Sequence, residues 1–166
     1  MTFTGTIGTV CMFPLRAIIR LCVVLRIHPN LLTLIGVIIN FLAAWQFAQG
    51  RFTAAGLIML AANIFDFIDG KVAEETNQAS RFGGFWDSVM DRFSDLSLFI
   101  GVMYLYSQLG RTDYVMVAAF AMMFSVMTSY TRARAESMIN KCKVGFMERP
   151  ERIVLVMIGA FTNRMG

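Results

Sequence analysis

Charge is scarce in this chain. Of 166 residues only 16% are Asp, Glu, Lys or Arg, while 57% are hydrophobic. A soluble domain of this size could bury its core with fewer apolar residues. Histidine is nearly absent, His28 being the one copy. The cysteines Cys11, Cys22 and Cys142 show no CxxC or other ligand spacing. Both scarcities argue against a zinc site, and the cysteines read as packing residues in a reducing compartment. There is no internal repeat and no low-complexity tract, so one domain is expected. No nucleic-acid partner is expected.

What is present is a series of apolar blocks: Leu31–Ala48, Ala54–Ile68, Leu96–Tyr106 (extended backwards to Phe85), Tyr114–Tyr130 and Ile153–Phe161. A membrane-crossing helix needs about 20 mostly apolar residues. The first four blocks reach that length with their flanks, and the fifth is cut short by the chain end. Backbone polar groups cannot face lipid unpaired, which makes helices the economical reading. The expectation is an all-α polytopic membrane bundle with five transmembrane helices.

Lys and Arg set the orientation. With the residues before Leu31 on the cytoplasmic side, Arg16, Arg20, Arg26, Lys71, Arg81, Arg92, Arg132, Arg134, Lys141, Lys143, Arg149 and Arg152 fall inside, and Arg51, Arg111 and Arg164 outside. Twelve against three is a strong positive-inside bias, which points to the cytoplasmic membrane. Residues 1–28 read as an N-terminal interfacial helix, in which Met12–Ile27 turns Arg16 and Arg20 toward anionic headgroups. No small-x-small cleavage site follows this stretch, and His28-Pro29-Asn30 interrupts it, so a cleaved leader is the weaker reading.

The chemistry is concentrated in acidic residues. Asp66 and Asp69 close the second apolar block, and Asp87 and Asp91 open the next. Spacings of i, i+3 and i, i+4 place each pair on one helix face. Carboxylates near a bilayer are costly unless paired, solvated or bound to a cation. Four of them converging from two helix ends call for a pair of hard divalent ions, and oxygen-only ligands favour Mg²⁺ or Mn²⁺. Gly70, Gly83 and Gly84 would allow close approach of backbone to ligand and of helix to helix. A transporter with an acidic ion path is the rival of a different class, but its carboxylates belong nearer mid-membrane. A solvated flank with no function is the bland alternative.

The run Asp66, Asp69, Gly70, Ala73, Gly83, Asp87, Asp91 resembles the D-x2-D-G-x2-A-R-x8-G-x3-D-x3-D signature of the CDP-alcohol phosphotransferases, integral membrane enzymes of phospholipid synthesis. Pro29-Asn30-Leu31-Leu32-Thr33 is similar to the family's P-N-x-L-T segment. The chain departs at Glu74, where the family has Arg, a charge that Lys71 or Arg81 could supply. The resemblance implies that Asp66, Asp69 and Asp87 bind one metal ion and Asp66, Asp87 and Asp91 a second. It implies that Asn30, Thr33, Gly70, Ala73, Ser80 and Gly83 surround the nucleotide with Asp66 and Asp69, and that Asp91 is the general base. It further implies a homodimer and six membrane helices, the last lying beyond residues 29–166 of the catalytic domain.

The basic clusters Tyr130–Glu136 and Glu148–Arg152 suit a phosphorylated acceptor, because Arg forks bind phosphate well. Arg132, Arg134 and Arg152 are the candidate contacts. The A-R-A-E and E-R-x-E-R pieces are similar to the prokaryotic phosphatidylinositol-phosphate synthase branch. The reaction so implied transfers a phosphatidyl group from CDP-diacylglycerol to inositol 1-phosphate and releases CMP. Glycerol 3-phosphate is the competing acceptor.

Overall fold

The computed structural model describes residues 15–139 and 149–162. The readings made for Cys11, Lys141, Cys142, Lys143, Glu148 and Arg164, and for the chain before residue 15, lie outside them. The described residues form helices and turns: α1 over 15–24, α2 Pro29–Ala48, α3 Phe52–Glu75, α4 Arg81–Gln108, α5 Thr112–Glu136 and α6 Arg149–Phe161. No strand occurs among them. The all-α expectation holds.

Local chemistry sets the boundaries. Pro29 opens α2 at a position where its missing N–H costs nothing, and His28 Nδ1 accepts from Asn30 N at 3.2 Å. Ser80 Oγ caps α4 by accepting from Gly83 N at 3.0 Å. The positive φ of Gly50 and Gly110 makes the α2–α3 and α4–α5 turns at the opposite end of the bundle. Helix α2 packs on both α3 and α4, and α5 packs on α4; each short link reverses the chain, so the start of α2, the end of α3 and the start of α4 meet at one end.

Helices α2, α3 and α5, of 20, 24 and 25 residues, are long and apolar enough to cross a membrane. Helix α4 has 28 residues, but Arg81, Asp87, Asp91, Arg92 and Asp95 charge its first half. Helix α6 spans 13 described residues, or ~20 Å at 1.5 Å per residue, against a hydrocarbon layer of ~30 Å. Three of the five expected spans therefore meet the requirement outright.

The core is centred on α2, which packs on α3 and α4. Phe47, Ala55 and Met59 are sealed there beside Leu98, Val102 and Tyr106. Packing is closest at Gly101, where any Cβ would collide with the Ala44 carbonyl. Small residues at such crossings let helix backbones approach in lipid. A second cluster joins Ile19 and Cys22 of α1 to Leu32, Ile68 and Val72, in keeping with Cys22 as a packing residue. Arg16 and Arg20 stay exposed on α1. Helix α5 is peripheral, burying only Ala118 and Ser125. Between α3, α4, α5 and α6 lies an apolar cavity of about 180 Å³ with Asp95 and Arg152 at its polar edge.

Candidate active site

The four signature aspartates do not sit at helix termini. Helix α3 continues past Asp66 and Asp69 to Glu75, and α4 begins at Arg81, before Asp87. Asp69-Gly70 is therefore helical. The carboxylates meet because α3 and α4 both pack on α2, which brings their linked ends together, and Asn77 in the link has a left-handed φ of 53°.

One carboxylate oxygen from each of Asp66, Asp69 and Asp87 lies within 4.8 Å of the others. Oxygens around a hard divalent ion at ~2.1 Å stand ~3–4 Å apart, so small side-chain adjustments close this triad on one ion. With oxygen as the only donor type, the set fits Mg²⁺ or Mn²⁺. Asp69 is buried, and Thr33 Oγ1 donates to its Oδ2 at 2.5 Å. That bond, from the first turns of α2, fixes the carboxylate's orientation.

The triad borders an open cleft of about 290 Å³. Asn30, Thr33, Gly70, Ala73, Ser80 and Gly83 line it together with Asp69 and Asp87. Residues spread over more than fifty positions are thus gathered on one wall-and-floor arrangement. The expectation that Gly83 and Gly84 allow the two acidic helices to approach needs correction, whereas the room expected at Gly70 is present. A Cβ on Gly70 or Gly84 would meet nothing within 4 Å, and one on Gly83 would meet Ser80 Oγ at 3.2 Å and Asn30 Oδ1 at 3.6 Å. The tight helix crossing is at Gly101, well inside the bundle; Gly70 and Gly84 instead leave open space facing the cleft.

Asp91 lies outside the triad and is engaged by Arg149, the first residue of α6. Arg149 Nη1 lies 3.0 Å from Asp66 Oδ2 and 2.9 Å from Asp91 Oδ1. Its Nε is 3.6 Å from Asp95 Oδ1. Burial works against the guanidinium charge, but Asp91, Asp66 and Asp95 outweigh it and hold the pKa above the usual arginine range. The sequence reading placed Arg149 in the cytoplasmic basic cluster Glu148–Arg152 and missed this role; the E-R-x-E-R pattern that contains it was the available signal.

The three arginines expected to meet an acceptor phosphate do not line the cleft. Arg152 Nη2 lies 3.3 Å from Asp95 Oδ2 and 3.4 Å from Ser129 Oγ. Arg132 Nε lies 3.6 Å from Glu136 Oε1, and Arg134 is exposed in the last turn of α5. Asp95 thus pairs with both Arg149 and Arg152. Glu74 lines the cleft, with Lys71 Nζ 2.7 Å from its Oε2. Lys71 neutralises Glu74 and so is occupied where a substitute for the family arginine was sought.

Apolar helices and a cluster of partly to fully buried carboxylates beside a polar cleft define an integral membrane protein with a candidate site for a hard cation. The chain belongs to the CDP-alcohol phosphatidyltransferase family, whose sequence profile matches residues 26–164. It is 37% identical over 151 residues to the archaetidylinositol phosphate synthase of Pyrococcus horikoshii, covering 90% of this chain and 78% of that one. Its fold is similar to the Mycobacterium tuberculosis phosphatidylinositol phosphate synthase in a crystal structure with CDP-DAG bound: TM-score 0.82 at 29% identity, over 89% of this chain and 75% of the other. A second crystal structure of that enzyme, in complex with manganese and citrate, gives a TM-score of 0.83 at 29% identity, with 89% and 72% covered.

Proposed function

We propose that this protein transfers a phosphatidyl group from CDP-diacylglycerol to a phosphorylated polyol, with inositol 1-phosphate the favoured acceptor, and releases CMP. The observation carrying this reading is the continuity of the carboxylate triad with the cleft that gathers the signature residues. The names of the relatives, phosphatidylinositol and archaetidylinositol phosphate synthases, support the choice of acceptor. Family membership tells against the cation-coupled transporter.

In this reading Asp66, Asp69 and Asp87 hold one Mg²⁺ or Mn²⁺ ion, and Asp66, Asp87 and Asp91 hold a second. Two such ions, when bound, neutralise charge on the diphosphate and on the departing CMP. Asn30, Gly70, Ala73, Ser80 and Gly83 shape the nucleotide pocket, with Thr33 acting on Asp69. The open space at Gly70 and Gly84 leaves room for nucleotide against bare backbone. Asp91 takes the proton from the acceptor hydroxyl as it attacks the β-phosphorus, a contribution of about 10²–10⁴ in rate for a positioned base. Arg132, Arg134 and Arg152 add positive charge on the side from which a phosphorylated acceptor arrives. The excess of Lys and Arg flanking that end of the bundle supports a site facing the cytoplasm, with residues 1–28 as an interfacial element preceding the catalytic domain. A homodimer is part of the proposal by family resemblance.

The test supplies purified protein with CDP-diacylglycerol, Mn²⁺ or Mg²⁺, and each acceptor separately, and measures CMP. Release with inositol 1-phosphate exceeding that with glycerol 3-phosphate supports the proposal. The reverse preference reassigns the acceptor, and no release with any acceptor from folded protein rejects the activity.

A further inference from the structure

Arg149 makes an unusual set of contacts for a buried arginine. One nitrogen, Nη1, is shared between Asp66 and Asp91, and Nε has no hydrogen-bond partner although it is buried. A structural arginine ordinarily turns its planar fork onto one carboxylate and satisfies its donors two at a time. Here the guanidinium instead straddles carboxylates from α3 and α4. The two it joins are those the two-ion reading assigns to the second cation. Asp66 belongs to both cation sets, whereas Asp69 and Asp87 complete the first and Asp91 the second.

We propose that Arg149 is a positioning residue that holds Asp66 and Asp91 in place of the second divalent cation and is displaced from both when that cation loads. The inference rests on the two-cation reading above. A single positive charge facing Asp66, Asp91 and Asp95 lowers their mutual repulsion in the ion-free protein. A divalent ion in the same place attracts each carboxylate about twice as strongly at equal distance. Asp95 makes the exchange local. Its Oδ1 faces Arg149 while its Oδ2 is 3.3 Å from Arg152, so the first turn of α6 keeps an anchor on α4 after Arg149 leaves Asp66 and Asp91. Arg149 meets one ligand of the first ion, Asp66, and two of the second, Asp66 and Asp91, so it opposes the second ion more strongly.

The test is a Mn²⁺ titration of the purified protein, following the free-ion paramagnetic resonance signal, for wild type, Arg149→Gln and Arg149→Lys. Wild type is expected to take up two ions, the second more weakly. Removing a unit charge a few ångströms away should tighten that second step about tenfold or more in Arg149→Gln, which is ~1.4 kcal/mol per tenfold step. Arg149→Lys keeps the charge and loses the fork, so tightening intermediate between the two separates contact from net charge. A second step unchanged or weakened in Arg149→Gln overturns the proposal, because an arginine that merely stabilises the site loosens ion binding when removed.

A wild-type measurement covers the case in which the variants do not fold. Arginine-selective dicarbonyl labelling, read at Arg149 by mass spectrometry, should rise severalfold on saturation with Mn²⁺. Unchanged or reduced labelling counts against displacement. Wild-type protein that binds fewer than two ions removes the two-cation reading itself, whereas two ions with Arg149 undisturbed remove this inference alone.

Discussion

Replacing Thr33 with Val tests whether the 2.5 Å bond from Thr33 Oγ1 to Asp69 Oδ2 orders the metal site. The substitution keeps the side-chain shape and deletes the donor. Thr33 is 6% exposed and Asp69 5%, so water has little access to replace the lost hydroxyl. A hydrogen bond to a charged group contributes roughly 1.5–3 kcal/mol. Loss of a partner that orients a metal ligand typically costs 10–100-fold in affinity. The expected outcome is a fall of about that size in Mn²⁺ affinity, with turnover partly recovered at saturating Mn²⁺. Thr33→Ser, which retains the hydroxyl, should titrate close to wild type. Family resemblance alone puts Thr33 at the nucleotide and predicts weaker CDP binding with Mn²⁺ affinity unchanged. Thr33→Val protein that binds Mn²⁺ as tightly as wild type would refute the structural reasoning.

Asp91→Asn should lower CMP release by about 10²–10⁴ while CDP binding, followed by displacement of a labelled nucleotide, largely persists; normal turnover would show that another group takes the proton. Glu74→Arg removes a carboxylate from the cleft and restores the family residue, so CDP should bind severalfold more tightly; weaker binding would show that Glu74 itself serves the nucleotide. Gly101→Val forces a side chain into the Ala44 carbonyl and should lower thermal stability in detergent by roughly 1–3 kcal/mol or prevent folding. Unchanged melting would mean that α2 and α4 do not pack at that point.

The spacing of Asp66, Asp69, Asp87 and Asp91 was legible because a helix converts i+3 and i+4 separations into a shared face without further information. Sequence reading was less reliable at helix ends. The polar run Asp66–Glu75 reads as an exit from the membrane helix, yet α3 carries through it, because Ile68 and Val72 keep burying a face against Leu32 and Ile19. The glycines misled for a related reason. Gly83-Gly84 and Gly101 look alike in a sequence, and only packing shows that the open space lies at Gly84 while a carbonyl fills it at Gly101.

The sequence by itself determined the all-helical membrane class, the family and the carboxylate set. Each depends on composition or on spacing within one helix. Which carboxylate meets which cation was decided by the tertiary structure. Arg149 reaches Asp66 across 83 positions and Arg152 reaches Asp95 across 57, so neither pairing leaves a trace in local spacing. Helix packing sets those distances, and the electrostatics of the site follow from them: oxygens of Asp66, Asp69 and Asp87 gather within 4.8 Å of one another, while one guanidinium engages both Asp66 and Asp91.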